Sequence, residues 1–188
     1  MKTDNVNLFC DIVNQRSKEH SYAINILLQQ QLYGQVISIL RQELDSMVRV
    51  MFLLSISDLT LREHFISQTL EGIKWSYPNT KKIVTDKQMV DLANEFYGWS
   101  FFVYKLGCAF IHLSAMVYYK NSNPFLLLSV SERNDIKKFL HQYHGFSLEL
   151  ELNLENIVPY LDKVFNKVSS NLAYYVENLR QNKHLEEY

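Results

Sequence analysis

The segment from Trp99 to Tyr119 restricts this chain more than any other, because only Lys105 and His112 interrupt its apolar run. A helix that is apolar on all sides belongs either in the middle of a helical bundle or in a bilayer. A lysine near its centre would cost about 2.5–3.5 kcal/mol on insertion into lipid, and no basic flank sets an orientation. The segment is therefore expected to be a buried helix, with no membrane partner. Its neighbours should be helices too, since five glycines and three prolines among 188 residues are too few for strand-turn-strand architecture.

Periodicity fills in the remaining elements. Apolar residues keep helical spacing from Asp4 to Gln31, and "LYG" at 32–34 marks a break with Gly34 as the turn. A second helix is expected from Gln35 to about Ile56, with Val36, Ile37, Leu40, Leu44, Met47, Val48 and Met51 on one stripe. Asp58 caps a third helix that Gly72 closes, and the segment "IKWSYPNTKKIV" reads as a loop. Its Trp75, Tyr77, Lys81 and Lys82 are read as a solvated loop, with partner contact as the alternative. Thr85 with Gln88, and Ser129 with Glu132, have capping-box spacing for the fourth and sixth helices. The nine residues "FSLELELNL" at 146–154 alternate, so this one short extended segment is either an edge strand or a loop covering the bundle. Asn153 caps a last helix with Pro159 in its first turns. The expected fold is all-α, a single-domain bundle of about six to seven helices over residues 1–188.

Lysine and arginine total 19 against 20 acidic residues, with no basic arm, which disfavours extensive duplex binding and leaves room for a local phosphate site. Two cysteines give no disulfide framework, and a polar N-terminus does not read as a secretory signal, so a cytoplasmic location is expected.

Chemistry is sparse. In "RQELDSMVR", Arg41, Asp45 and Arg49 recur at i, i+4 and i+8 on one helix face. They form either a surface ladder of ion pairs or a clamp, in which Asp45 orients guanidinium forks toward phosphate or carboxylate. Glu43 falls on a different face. On the Trp99–Tyr119 helix, Gly107, Cys108 and Ala109 are small enough to admit a neighbouring helix, with His112 one turn beyond Cys108. His112 is either a core histidine satisfied by a buried partner or a proton carrier, for which an ordinary pKa of ~6.5 suits it. Tyr104 and Lys105 are ligand-binding candidates beside it. Cys108 with His112, and His141 with His144, are each half of a metal site, and no further ligand accompanies them. No nucleotide-binding glycine loop or nucleophile elbow occurs, so no metal and no cofactor is expected.

Together, "LYGQVISILRQELDSMVRVMFLL" and "YKLGCAFIHLS" resemble the HEPN superfamily, in its uncharacterised bacterial and abortive-infection branches, over about residues 20–120. The resemblance implies a helical bundle, often homodimeric, that in active members is a metal-independent ribonuclease of defence or toxin type. There an arginine and a histidine cleave RNA through its own 2′-hydroxyl. Active members carry the pair on one helix with four to six residues between; here Arg16 to His20 has three, Arg133 to His141 seven, and Lys105 to His112 six. The site expected from the resemblance is assembled across two helices, with His112 as acid or base, Arg41 and Arg49 as phosphate clamp and Asp45 as their orienter. The rival expectations are a non-catalytic homodimeric module that binds another protein, and a small-ligand sensor with a pocket under Trp75 and Trp99.

Overall fold

The computed structural model describes residues 2–111 and 118–185. Among them the chain is an all-α bundle of seven helices: α1 (Lys2–Gln29), α2 (Tyr33–Ser55), α3 (Leu59–Leu70), α4 (Asp86–Phe96), α5 (Ser100–Ile111), α6 (Val130–His144) and α7 (Leu154–Arg180). A 3-10 turn at Pro124–Leu127 precedes α6. No described helix is long and apolar enough to cross a membrane.

The organising element is α2. It packs against α1, α4, α5 and α7, and its buried residues, from Val36 and Leu40 through Glu43 and Met47 to Val50 and Leu54, cover most of its circumference, leaving Ser38, Gln42, Asp45, Arg49 and Phe52 half-buried along one stripe. Polar residues in the buried set must find partners in the interior, and the half-buried stripe is where α2 can line a cleft. Helix α5 is described only to Ile111 and lies against α2, with Trp99 and Val103 buried and Lys105 exposed.

Local signals end the helices where their chemistry demands. The Asp58 carboxylate accepts from the Thr60 and Leu61 amides at the start of α3, and both capping boxes, Thr85 with Gln88 and Ser129 with Glu132, are complete. Gly145 ends α6 in the left-handed region at φ 73°. The α1–α2 turn differs from expectation: Gln31, at φ 55°, supplies the left-handed residue, and Gly34 lies inside the first turn of α2. The absence of a side chain at Gly34 admits the Tyr119 ring, which a Cβ there would approach to 3.1 Å.

The segment after α6 takes the loop alternative, and the loop before α4 differs from expectation. Residues 146–153 form no strand: the chain turns at Leu148–Glu149, leaving Leu148 and Leu150 exposed while Leu152 and Leu154 enter the core. The loop before α4 is anchored, with Trp75 only 2% exposed, stacked on Phe65 and donating its indole N–H to Thr69 Oγ1 at 2.7 Å. Val84 N–H donates to the Trp75 carbonyl at 2.9 Å, and Ser76 bridges Ile83. Lys81 and Lys82 are exposed, as expected.

Buried Arg62 ties the far end together by donating to the carbonyls of Ile56 (2.8 Å) and Lys183 (3.1 Å). It thereby satisfies carbonyls beyond the C-terminal ends of both α2 and α7.

Candidate functional site

Two polar clusters flank α2, one on each side. Toward α5, Arg41 is 3% exposed and ion-pairs with Asp45 one turn along, while its guanidinium carbon stands 4.1 Å over the Tyr104 ring. The stem of Arg41 fills the space above Gly107, where a Cβ would come within 2.2 Å of Arg41 Cβ and 2.6 Å of its Cγ. Helices α2 and α5 therefore meet as closely as backbone allows, and the glycine is what lets an arginine lie between them. Burial, with Cys108 next, raises the Tyr104 pKa, and Arg41 pulls it the other way. This arrangement is closed.

Toward α1 the arrangement is different. The core-facing residues of α1 run Val6, Phe9, Cys10 and Val13, and the same spacing then places Ser17, His20 and Ile24. Two of these are polar, and they meet Glu43, whose side chain is fully buried. Glu43 Oε2 lies 2.7 Å from His20 Nδ1, and Ser17 donates to Glu43 Oε1 and lies 3.1 Å from Ser169 on α7. Arg16 Nε donates to His20 Nε2 at 3.4 Å. Because arginine can only donate, His20 accepts at Nε2, and its ring proton is on Nδ1, given to Glu43. Arg16 also donates to the Gln42 side-chain oxygen at 3.3 Å, so both of these acceptors are uncharged groups.

A cleft of about 360 Å³ opens between α1, α2 and α3 and shares Arg16 with this network. Arg16, Asp45, Ser46 and Arg49 line its polar side, and Ile12 and Ile73 its apolar rim. Arg49 Nη2 reaches Asp86 Oδ1 at 3.2 Å, and its guanidinium stands 4.8 Å over the Trp75 ring. Burial lowers the Arg49 pKa first of all; Asp86 opposes that, and the like charges of Arg16 and Arg41 add to it. Arg16 and Arg41 thus act on Arg49 as like charges, and the carboxylate lining the cleft, Asp45, is committed to Arg41.

A larger groove of about 680 Å³ runs beside α3, but its polar groups serve the local backbone. Asp58 caps α3, and the His64 ring lies 3.0 Å from the Ser76 carbonyl. The cavity under α5, α6 and α7 is about 30 Å³ and lined by residues such as Leu40, Val103 and Leu161, which suits neither water nor a polar ligand.

The residues expected to form one clamp are thus divided. Arg41, Asp45 and Tyr104 come together, but Arg41 is enclosed between α2 and α5, and only Asp45 reaches the cleft. Arg49 leaves the expected ladder, because eight residues along a helix drift away from one face, and it pairs with α4. Lys105 turns to α6, ion-pairing with Glu132 and standing 5.0 Å from the centre of the Phe101 ring. That pairing, followed by the capping bonds of Ser129, draws the Glu132 pKa down to about 2. His112 lies outside the described residues. Trp75 and Trp99 share no pocket wall, since Trp99 stacks on Phe139 while Trp75 lies with Phe65 and Arg49. His141 is turned to the Phe146 carbonyl at 2.8 Å, away from a shared ligand with His144. No group of three metal-ligating side chains occurs among the described residues.

Sequence reasoning set aside Glu43 and the Arg16–His20 pair and did not single out Ser17. The available signal was Ser17 and His20 standing at core spacing on α1, and Glu43 standing among the apolar residues of α2. Comparison with known protein families, curated proteins and solved structures finds no match for this chain.

Proposed function

We propose that the protein binds single-stranded RNA, or a nucleotide-type ligand with the same phosphate chemistry, in the cleft between α1, α2 and α3. The observation that carries this reading is the pair Arg16 and Arg49 lining one cleft, with Arg16 hydrogen-bonded to uncharged acceptors. Guanidinium forks match phosphate oxygens in pairs, and an anion relieves the repulsion between the two arginines. The isoleucine rim, Ile12 and Ile73, offers apolar surface to a base.

The HEPN likeness belongs to the same proposal, with its residues reassigned. Arg16 and His20 share one helix, and Glu43 orients the imidazole. When Arg16 moves onto a phosphate, His20 Nε2 is released to take the proton of an RNA 2′-hydroxyl. The 2′-oxygen then bonds to phosphorus, and the 5′-oxygen leaves with a proton from water or from His20. The ion pair of Arg41 with Asp45 supports the floor of this cleft.

The test is fluorescence anisotropy with a labelled polyuridylate oligomer, followed by cleavage of the same oligomer. Arg16→Ala and Arg49→Met are each expected to weaken binding about tenfold or more, the worth of a charge-assisted hydrogen bond. His20→Gln is expected to bind normally and to lose cleavage. Equal binding by all the proteins ends the reading, and equal cleavage by wild type and His20→Gln removes the catalytic half of it.

One observation favours a second reading, the homodimeric or protein-binding module. Leu126, Leu127 and Val130 are 61–63% exposed side by side at the start of α6. Light scattering of wild type against Leu127→Glu tests it: a dimer that the substitution splits supports the module, and a monomer in both removes the homodimer.

A further inference from the structure

Arg49 is held from two directions by one short piece of chain. Trp75 supplies the ring beneath its guanidinium, and Asp86, the first residue of α4, supplies a carboxylate at 3.2 Å. The two belong to a segment that closes on itself through the Val84 to Trp75 hydrogen bond (2.9 Å), the Tyr77 to Lys82 hydrogen bond (3.0 Å) and the Ser76–Ile83 bridge. The third side of Arg49 is the cleft, where Arg16 and Asp45 are its charged neighbours. The Asp45 carboxylate is taken by Arg41. Asp86 does not line the cleft but is the carboxylate with which a ligand's anion would compete for the Arg49 guanidinium, and its side chain is 51% exposed, so leaving costs it little.

We propose that Asp86 is a built-in competitor for the anion site, and that the segment 75–86 gates the cleft by sharing Arg49 between itself and the ligand. This rests on the reading that the cleft takes a phosphate-bearing ligand. With Asp86 engaged, Arg49 is neutralised and drawn toward α4. An entering phosphate takes the guanidinium, and Asp86 turns to water, which its exposure permits. The gate sets affinity without touching the ligand.

The experiment compares binding of the labelled polyuridylate oligomer by wild type, Asp86→Asn and Asp91→Asn. Asp91 is exposed on the same helix, so its variant removes the same charge away from Arg49. Asp86→Asn is expected to bind about two- to fivefold tighter than wild type, the range set by releasing one exposed ion pair. Asp91→Asn is expected to stay at the wild-type value. Equal affinity of wild type and Asp86→Asn overturns the gate and leaves the binding site standing. An equal gain in both variants also overturns it, because general charge then explains the effect. Absence of binding in all three overturns the gate together with the binding site beneath it.

Discussion

The two sides of α2 carry similar side chains and put them to different uses. Toward α5, an enclosed arginine lies against a glycine and a tyrosine and pairs with an aspartate at the cleft; toward α1, a glutamate and a histidine are enclosed, while Arg16 and Arg49 face the open cleft. A charged side chain announces neither role by itself. What separates them is whether the guanidinium is enclosed or faces an open cleft. Arg41 is spent on Asp45 and Tyr104, whereas Arg16 rests on uncharged acceptors that an anion can outcompete.

The largest effect that would sharpen this contrast is on stability alone. Gly107→Val places a side chain where the stem of Arg41 already is, and the clashing atoms are Cβ, Cγ and Cδ, which cannot swing aside as a side-chain tip can. Overpacking of this kind is expected to cost about 3 kcal/mol, or roughly 6–12 °C in melting temperature for a chain of this length. Thermal unfolding measures it, and a loss under about 1 kcal/mol would show that the two helices are not in contact as described.

Next in size is Glu43→Leu, expected to cost about 2 kcal/mol because His20 and Ser17 lose a buried acceptor. Glu43→Gln keeps an acceptor oxygen and is expected to cost roughly half as much. Denaturant unfolding of the pair reads the difference. Equal losses would mean that Glu43 matters for its volume and not for its hydrogen bonds.

How much of this was readable beforehand follows the same divide. Helix ends were legible because caps are local: Asp58, Thr85, Ser129, Gly145 and Asn153 each act within a few residues of themselves. The fold class was legible from periodicity and from the lack of turn residues. Which face of α2 would meet which helix was not. Glu43, set off the face of Arg41 and Asp45, falls among the buried residues of α2, but which helix it meets there is decided by packing. Arg49 was assigned to Asp45 because they are close in sequence, and it binds Asp86 from a helix that sequence spacing cannot reach. Partners joined by tertiary packing leave no periodic trace, apart from the unusual polar residues at core positions on α1.

A third expected effect separates binding from stability. Arg16 is exposed, so Arg16→Ala should change unfolding by no more than about 0.5 kcal/mol while weakening polyuridylate binding about tenfold. With two arginines on phosphate, the slope of log affinity against log salt should be about −1.4, and about −0.7 after Arg16→Ala. A slope near zero in the wild type would show that phosphate is not what the cleft holds.

The smallest expected effect concerns Arg41, where the two sides of α2 touch. Arg41→Met removes a nearly buried charge and replaces it with a flexible apolar chain, so the relief of desolvation offsets much of the lost pairing. Stability is expected to change by less than about 1 kcal/mol. The substitution also leaves Asp45, at the lining of the cleft, without its cation. The freed carboxylate should then attract Arg16 and Arg49 in place of a ligand, weakening polyuridylate binding by roughly two- to fivefold. Adding Asp45→Asn should restore it, because the intruding charge is gone. Restoration in the double variant would show that Arg41 acts on the cleft only by occupying Asp45. Persistent weakness would instead place Arg41 on the ligand, and the division between a sealed side and an open side of α2 would have to be given up.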